Sequence, residues 1–289
     1  MNLETILVIG AGTMGADIAQ VAARSGLRTI LFDTQAAALE RAMQQIRRDL
    51  EKLEAKGKLS VLELDATLKN VGISETLEIA NEAQLVIEAA SENLAVKHAI
   101  FRKLESHVSA DAILATNTST ISISAIASVL EHPERAVGLH FFNPATIMPL
   151  VEVIRAEQTS ARTLEVALAF VTRVRKTAVI AKDTPGFIVN RIARPFYLEA
   201  LRMLGENGES TELLEKTDRV MRGAGFRMGP FELLDLIGLD INLAASKSVY
   251  EAFFQDPKYR PSPIQQRMVD AGRLGRKTGR GFYEYLEKP

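Results

Sequence analysis

The feature that most constrains this chain is a glycine-rich turn that follows a short apolar strand. ILVIG (6–10) consists of β-branched and aliphatic residues and stops at glycine, as a strand buried on both faces does. GAGTMG (10–15) forms the turn, and ADIAQVAARSG (16–26) has the pattern of a helix. A second buried strand, LRTILFD (27–33), ends in Asp33. This order of strand, G-x-G-x-x-G, helix, strand and acid predicts a dinucleotide-binding unit.

Each part of this pattern has a physical reason. Glycines allow a tight turn and let the backbone approach a pyrophosphate, while the helix N-terminus offers N–H groups to the anion. The predicted cofactor contacts in the turn are Gly10, Ala11, Gly12, Thr13, Met14 and Gly15. Asp33 is placed to accept hydrogen bonds from ribose hydroxyls, and its charge would repel a 2′-phosphate. NAD is therefore favoured over NADP, and FAD stays open because flavoproteins also use this fingerprint.

Further strands and helices alternate through the front half. AQLVIEAA (83–90) and AILATNTS (112–119) have the pattern of buried strands with a helix between them, which predicts a doubly wound, mainly parallel sheet. Residues 35–58 are mostly polar, and we expect them to form a solvated helical hairpin. Ligands bind beyond the carboxyl ends of such strands. That rule selects four polar residues, Glu92, Asn117, Ser119 and His140, and we expect Asn117 to contact the cofactor.

The alternation stops near Asp183, and Pro185-Gly186 is the natural boundary signal. We expect a dinucleotide-binding domain over residues 1–184 and an all-helical domain over 185–289, which is consistent with the 289-residue length. The second domain is small and apolar and would gain stability by burying a face against another subunit. We therefore expect a homodimer.

Composition excludes several classes of protein. The 35 basic and 36 acidic side chains nearly cancel, so no global field favours nucleic acid or a membrane surface. There is no cysteine, which excludes disulfides, thiolate nucleophiles and sulfur-ligated metals, and we expect no metal site. The N-terminus has neither a basic n-region nor a long apolar run. We expect a cytoplasmic protein.

His140 and Glu152 form the most informative pair of side chains in the front half. His140 is one of only four histidines and sits in the apolar run GLHFF, while Glu152 is a solitary carboxylate in PLVEV. A nicotinamide enzyme that oxidises an alcohol needs a base for the hydroxyl proton, and imidazole has a suitable pKa. A buried carboxylate in turn needs a partner. We therefore expect a His–Glu pair in which the carboxylate orients the ring.

Seven blocks of the chain resemble the L-3-hydroxyacyl-CoA dehydrogenase family, in family order and over essentially the whole length. They are GAGTMG, VIEAASENLAVK, TNTSTISI, GLHFFNPATIMPLVEV, KDTPGFIVNR, GAGFRMGPFELLDLIGLD and GRKTGRGFYEY. The resemblance implies NAD-dependent interconversion of 3-hydroxyacyl-CoA and 3-ketoacyl-CoA. His140 would be the base or acid and Glu152 its partner. Ser119 and Asn190 would contact the reacting oxygen and help to hold the substrate.

The resemblance also implies contacts with the cofactor and with CoA. Besides the glycine turn, it implies NAD contacts for Asp33, Glu92, Lys97, Ser119, Asn143 and Lys277. Lys56 would meet a CoA phosphate, although Asp49 stands where many members of the family have a serine.

Several alternatives stay open at this point. The default substrate is a short one, 3-hydroxybutyryl-CoA, but RIARPFYLEALRML and GFRMGP also resemble 3-hydroxyadipyl-CoA dehydrogenases. The rivals are a noncatalytic structural relative, an L-gulonate-type dehydrogenase, and one half of a larger fatty-acid oxidation enzyme. We prefer a self-contained enzyme.

Overall fold

The structure is a computed structural model that describes residues 3–285. The outer ends of the two predicted domains, residues 1–2 and 286–289, lie outside the described residues. The chain divides into two compact units at the bond between Thr184 and Pro185.

The first unit is built on one eight-stranded sheet. In chain order its strands are β1 (Thr5–Ile9), β2 (Arg28–Phe32), β3 (Val71–Ser74), β4 (Leu85–Glu88), β5 (Ile113–Thr116), β6 (Ala136–Phe141), β7 (Leu150–Arg155) and β8 (Thr177–Lys182). Their order in space is β3-β2-β1-β4-β5-β6-β7-β8. All neighbouring pairs are parallel except β6 and β7, which are antiparallel. The predicted doubly wound, mainly parallel sheet is confirmed.

Helices cover both faces of this sheet. They are α1 (Thr13–Arg24), α2 (Ala36–Ala55), α3 (Val61–Lys69), α4 (Leu94–Glu105), α5 (Ile123–Ala127) and α6 (Ala161–Arg173). Successive side chains of a strand point to opposite faces. Ile6 and Val8 therefore pack into the core that contains α1, α2 and α6, while Leu7 and Ile9 pack into the core that contains α4 and α5. Because both faces are covered, the strand is apolar without alternation.

The expected hairpin over residues 35–58 is wrong in its extent. That segment is mainly the single helix α2, and the second arm of the hairpin is α3, which begins with a capping box at Ser60 and Glu63. The expectation of a solvated segment also needs correction, because Leu39, Ala42, Ile46 and Leu50 are buried along one side of α2. Their spacing of three and four residues forms an apolar stripe within a mostly polar helix.

The second unit is helical, as predicted. Its helices are α7 (Val189–Asn207), α8 (Thr211–Gly223), α9 (Pro230–Ile237), α10 (Leu239–Ala252) and α11 (Pro263–Asp270). Gly238 separates α9 from α10 because its φ of +100° lies outside the helical region. Leu201, Phe231 and Leu239 lie in the core of this unit, each at most 1% exposed.

The described part of the chain lacks two features. Between residues 3 and 285, no helix has the length and apolar character needed to cross a membrane. Within the same residues, no group of three or more His, Cys, Asp or Glu side chains is arranged to hold a metal ion.

Candidate active site

The glycine turn between β1 and α1 leaves room for a ligand at one point only. A Cβ atom on Gly10 would lie 2.9 Å from the Ala89 carbonyl oxygen, and one on Gly15 would lie 1.8 Å from the Gly10 carbonyl oxygen. A Cβ atom on Gly12 would meet nothing within 4 Å. Gly12 is also the N-cap of α1, which has no side-chain cap and no acid in its first turn. The turn thus fits a dinucleotide pyrophosphate above Gly12, at a helix N-terminus that carries positive partial charge.

Asp33 is held beside this turn. Its Oδ2 accepts a hydrogen bond from the Ala11 amide at 2.8 Å, and its Oδ1 accepts one from the Gln35 amide at 3.0 Å. The carboxylate at the end of β2 is therefore tied to the turn by the backbone. This is the position at which a ribose would meet a carboxylate in a dinucleotide fold.

Two alanine substitutions in the turn separate ligand binding from folding. We expect Gly12→Ala to melt close to the wild-type temperature but to bind NAD⁺ about tenfold more weakly, because the new methyl group occupies space that only a ligand would use. Gly15→Ala is the matched comparison and should lower Tm by several degrees, because its Cβ would overlap the backbone of Gly10. Thermal melting and calorimetric titration with NAD⁺ measure both effects. Unchanged NAD⁺ affinity in Gly12→Ala would contradict the placement of the pyrophosphate.

His140 and Glu152 are direct cross-strand partners. Antiparallel pairing of β6 and β7 places the two residues opposite each other, and residues directly opposite in such a pair share one face. The Nδ1 atom of His140 lies 2.7 Å from Oε2 of Glu152, with the residues 6% and 0% exposed. The ring of Phe142 lies 4.5 Å from the imidazole ring, centroid to centroid. The structure thus brings together the two side chains that the sequence paired.

Ser119 lies in a turn that is organised by Glu92. A single carboxylate oxygen, Oε1 of Glu92, accepts hydrogen bonds from the Thr118 hydroxyl at 2.7 Å, the Ser119 amide at 2.9 Å, the Ser119 hydroxyl at 3.1 Å and the Thr120 amide at 3.1 Å. Burial acts to raise the pKa of Glu92, but hydrogen bonds from Thr118 and Ser119 and the charge of Lys97 outweigh it. The pKa is therefore lowered, and the carboxylate is ionised at neutral pH.

Glu92→Gln tests this arrangement through its dependence on pH. The folded pKa lies below the unfolded one, so the ionised carboxylate contributes stability that is fully present above about pH 4.3, the ordinary glutamate pKa, and is lost as pH falls through the lowered value. We expect the variant to melt about 3 °C below wild type at pH 7. The gap should close in acid. The control is Glu131→Gln, an exposed change. A gap that does not depend on pH would count against an ionised Glu92.

Lys97 is fully buried rather than exposed at the site. Its ammonium lies 2.8 Å from both carboxylate oxygens of Glu88 and 3.5 Å from Oε2 of Glu92. Glu88 also accepts from the Thr116 hydroxyl at 2.6 Å and from the Ala90 amide at 2.7 Å. The sequence reasoning missed Glu88, although an acid at the end of the apolar run LVIE carries the same signal that identified Glu152. Lys97 is fixed by Glu88, and its ammonium in turn helps to hold the Glu92 carboxylate in place.

Asn117 connects two strand ends, because its Oδ1 accepts a hydrogen bond from the Phe141 amide at 2.8 Å. This bond joins the residue after β5 to the last residue of β6, next to His140. Asn143 follows two residues later and is exposed, and it joins Pro144 through a cis peptide bond.

The loop that contains Asn143 is held by two residues that the sequence reasoning missed. Asp17, on α1, accepts from the Ala145 amide at 2.8 Å, and the ammonium of Lys176 donates to the carbonyl oxygens of Ala145 at 2.6 Å and Met148 at 2.7 Å. Burial raises the pKa of Asp17 and lowers that of Lys176. Asp17 therefore links the helix of the glycine turn to the loop after β6. An acid inside the apolar face of α1 was the signal that could have identified it.

Four further predicted residues have defined surroundings within their own units. Lys56 is exposed directly after α2, and Asp49 on that helix accepts from Lys52 at 3.2 Å. In the second unit, the Lys277 ammonium lies 2.7 Å from Asp240. Burial acts to raise the pKa of Asp240, but the hydrogen bond and the charge of Lys277 outweigh it, so the pKa is lowered. Asn190 lies in the first turn of α7, where its Oδ1 accepts from the guanidinium of Arg194 at 3.4 Å.

Within the first unit, the predicted residues converge on one edge of the sheet. Parallel pairing of β2, β1, β4, β5 and β6 places their carboxyl ends together. The glycine turn, Asp33, Glu92, Ser119 and the His–Glu pair all lie at or just beyond these ends. A dinucleotide-binding edge combined with a paired histidine defines an oxidoreductase of the Rossmann type.

The chain belongs to the 3-hydroxyacyl-CoA dehydrogenase family. The family's NAD-binding domain matches residues 5–184, and its C-terminal domain matches residues 186–285. The cofactor of this family's first domain is NAD, as Asp33 predicted.

Named relatives and a solved structure agree with this assignment. A 3-hydroxyadipyl-CoA dehydrogenase of Escherichia coli is 46% identical over 99% of this chain, and a probable 3-hydroxybutyryl-CoA dehydrogenase of Bacillus subtilis is 40% identical over 100% of it. The chain covers 60% of the E. coli protein and 99% of the B. subtilis protein. The crystal structure of (S)-3-hydroxybutyryl-CoA dehydrogenase from Ralstonia eutropha superposes with a TM-score of 0.93 at 39% identity, covering 99% of this chain and 100% of that one.

Proposed function

We propose that this chain interconverts (S)-3-hydroxyacyl-CoA and 3-ketoacyl-CoA. The glycine turn and Asp33 would hold NAD⁺, which would accept the hydride from C3 of the substrate. The observation that carries the proposal is the 2.7 Å contact between His140 Nδ1 and Glu152 Oε2 at the carboxyl edge of the sheet. A buried imidazole oriented by a carboxylate is suited to accept the proton of an alcohol.

In the proposed mechanism, His140 and Glu152 act as one unit. Glu152 holds Nδ1 in its protonated form, which directs the basic lone pair to Nε2. Nε2 then accepts the proton of the C3 hydroxyl as the bond from carbon to hydrogen breaks. The imidazolium that forms is stabilised by Glu152, because opposite charges attract strongly in a site with little water. In the reverse direction, the same nitrogen returns the proton to the carbonyl oxygen.

Three other residues are proposed to hold the substrate. Ser119 and Asn190 present a hydroxyl and an amide to the reacting oxygen, and Lys56 meets a phosphate of CoA. Glu92 supports the role of Ser119, because it fixes the turn over residues 118–120 through several hydrogen bonds. Asp49 and Lys52 both lie on α2, which ends next to Lys56. Asp49 is paired with Lys52, so its negative charge is balanced within the helix.

We propose a short acyl chain, with 3-hydroxybutyryl and 3-hydroxyadipyl groups as the two candidates that relatives' names supply. The test is NADH formation by the purified protein with both thioesters and with the corresponding free acids. Turnover of thioesters alone supports the proposal. Turnover of the free acids would favour a sugar-acid type of dehydrogenase, and NAD⁺ binding without any turnover would favour a structural relative.

The proposal extends to a cytoplasmic homodimer formed through the second unit. Exposed apolar side chains support a subunit contact, since Ile192 is 68% exposed, Val220 59%, Ile241 55% and Phe254 97%. Such side chains favour association when they form a patch. Light scattering gives the mass in solution, and a monomer at micromolar concentration would contradict the proposed homodimer.

A further inference from the structure

A cluster of polar side chains lies in the interior of the second unit, between α7, α10 and α11. Its members are Arg194, which is 3% exposed, Asn242 at 1%, and Ser246 and Gln265 at 0%. Buried polar groups are almost always hydrogen-bonded, and a buried charge is usually paired with an opposite one. The partners of each group therefore indicate whether the cluster is complete.

Most of the cluster is satisfied from within. One terminal nitrogen of Arg194, Nη1, donates to the Asn242 carbonyl oxygen and to the Ser246 hydroxyl, both at 3.0 Å. The other, Nη2, donates to Oδ1 of Asn190 at 3.4 Å. Gln265 donates from Nε2 to the Leu239 carbonyl oxygen at 3.0 Å and to Oδ1 of Asn242 at 3.1 Å.

Two donors and one acceptor in the cluster have no partner. The donors are Nε of Arg194 and Nδ2 of Asn242, the acceptor is Oε1 of Gln265, and all three atoms are shielded from solvent. Within residues 3–285, the guanidinium of Arg194 forms no ion pair with a carboxylate. Arg135 provides a contrast, because it is similarly buried but lies 3.1 Å from Glu105. Burial lowers the pKa of Arg194, although Tyr197, whose ring centroid lies 5.2 Å from the guanidinium carbon, acts to raise it. A cation that has an aromatic ring but no carboxylate as a partner, and whose Nε is unused, is the environment that an anion would complete.

We propose that Arg194 and Asn242 bind the distal carboxylate of a dicarboxylic 3-hydroxyacyl group. Nε and Nη2 form one edge of the guanidinium fork, and this edge matches the two oxygens of a carboxylate. Nδ2 of Asn242 adds a third donor. The inference rests on the proposed function, because it takes Asn190 as a contact of the C3 oxygen.

The position of the Arg194 guanidinium beside Asn190 selects the length of the diacid. Long side chains of a helix point back toward its N-terminus, and Nη2 of Arg194 lies 3.4 Å from Oδ1 of Asn190 in this way. A carboxylate bound by Arg194 therefore lies close to a C3 oxygen bound by Asn190. In a six-carbon diacid, C3 and C6 are separated by three bonds and about 4 Å, so the 3-hydroxyadipyl group is short enough to meet both residues. A 3-hydroxybutyryl group ends at C4 and leaves Arg194 unpaired.

Two thioesters of equal length isolate the effect of the carboxylate. (S)-3-hydroxyadipyl-CoA and (S)-3-hydroxyhexanoyl-CoA differ only at C6, which is a carboxylate in one and a methyl group in the other. We expect wild type to favour the adipyl substrate in kcat/KM. Arg194→Met should lower the ratio of the two kcat/KM values by about 100-fold, because the carboxylate then enters a site without its cation. Arg135→Met is the matched control and should keep the wild-type ratio despite lost stability.

A second variant covers the case in which Arg194→Met does not fold. Asn242→Asp supplies a carboxylate beside Arg194 from within the chain, so it should melt at or above the wild-type temperature while losing the preference for the adipyl substrate. An adipyl-to-hexanoyl ratio that stays at the wild-type value in the folded variants overturns this inference alone. Failure of wild type to oxidise either thioester overturns the proposed function itself.

Discussion

His140→Gln is expected to lower kcat for oxidation of the hydroxyacyl thioester by about 10³-fold, within the range that general bases contribute. Glutamine has a similar size and is able to accept a hydrogen bond, but it does not take up a proton near neutral pH. His140 is 6% exposed and lies directly opposite Glu152, so the substitution also removes the contact between the imidazole and Glu152. Binding of NAD⁺ should be retained, because the glycine turn and Asp33 belong to other strands.

Steady-state kinetics and NAD⁺ titration of the same preparation check both parts of this result. His132→Gln is the matched control, since its side chain is 62% exposed and lies outside the site, and it should keep wild-type kcat. Retention of a tenth or more of wild-type kcat in folded His140→Gln would show that another group accepts the proton. A loss of NAD⁺ binding together with kcat would instead point to a folding defect.

Glu152→Gln is expected to lower kcat by about 10²-fold to 10⁴-fold, the upper end being what the corresponding change costs in serine proteases. Glu152 is 0% exposed, and its Oε2 lies 2.7 Å from Nδ1 of His140. The amide keeps the volume but removes the negative charge that stabilises the imidazolium. An amide is also able to donate to Nδ1, which would place the ring proton on the nitrogen that has to act as base.

Kinetics and NAD⁺ titration of the same preparation distinguish this positioning role from a purely structural one. Loss of the carboxylate removes the charge that stabilises the imidazolium, so kcat should fall while NAD⁺ affinity stays at the wild-type value. Glu134→Gln, with a side chain that is 51% exposed, is the control. A lower kcat accompanied by a loss of NAD⁺ binding would contradict the pairing as the source of the effect.

Local patterns were enough to predict the fold class and a dinucleotide cofactor, with NAD favoured over NADP. The residues of the glycine turn and Asp33 lie within 24 consecutive positions, so the spacing of the motif almost defines its geometry. The error over residues 35–58 had a different cause. The segment is mostly polar on average, and the prediction of a solvated segment used that average. The helical spacing of Leu39, Ala42, Ile46 and Leu50, which indicates a buried face, is present in the sequence.

The sequence by itself determined the order of strands and helices, the dinucleotide turn, and the presence of a histidine and an acid in neighbouring apolar runs. Only the tertiary structure decided which side chains meet. His140 faces Glu152 because of the register of β6 and β7, and a slip of one residue would turn the two to opposite faces. Arg194 and Asn242 are 48 residues apart, and helix packing alone brings them together. Motifs encode contacts between neighbours in the chain, whereas pairings of buried charges depend on which elements share a core.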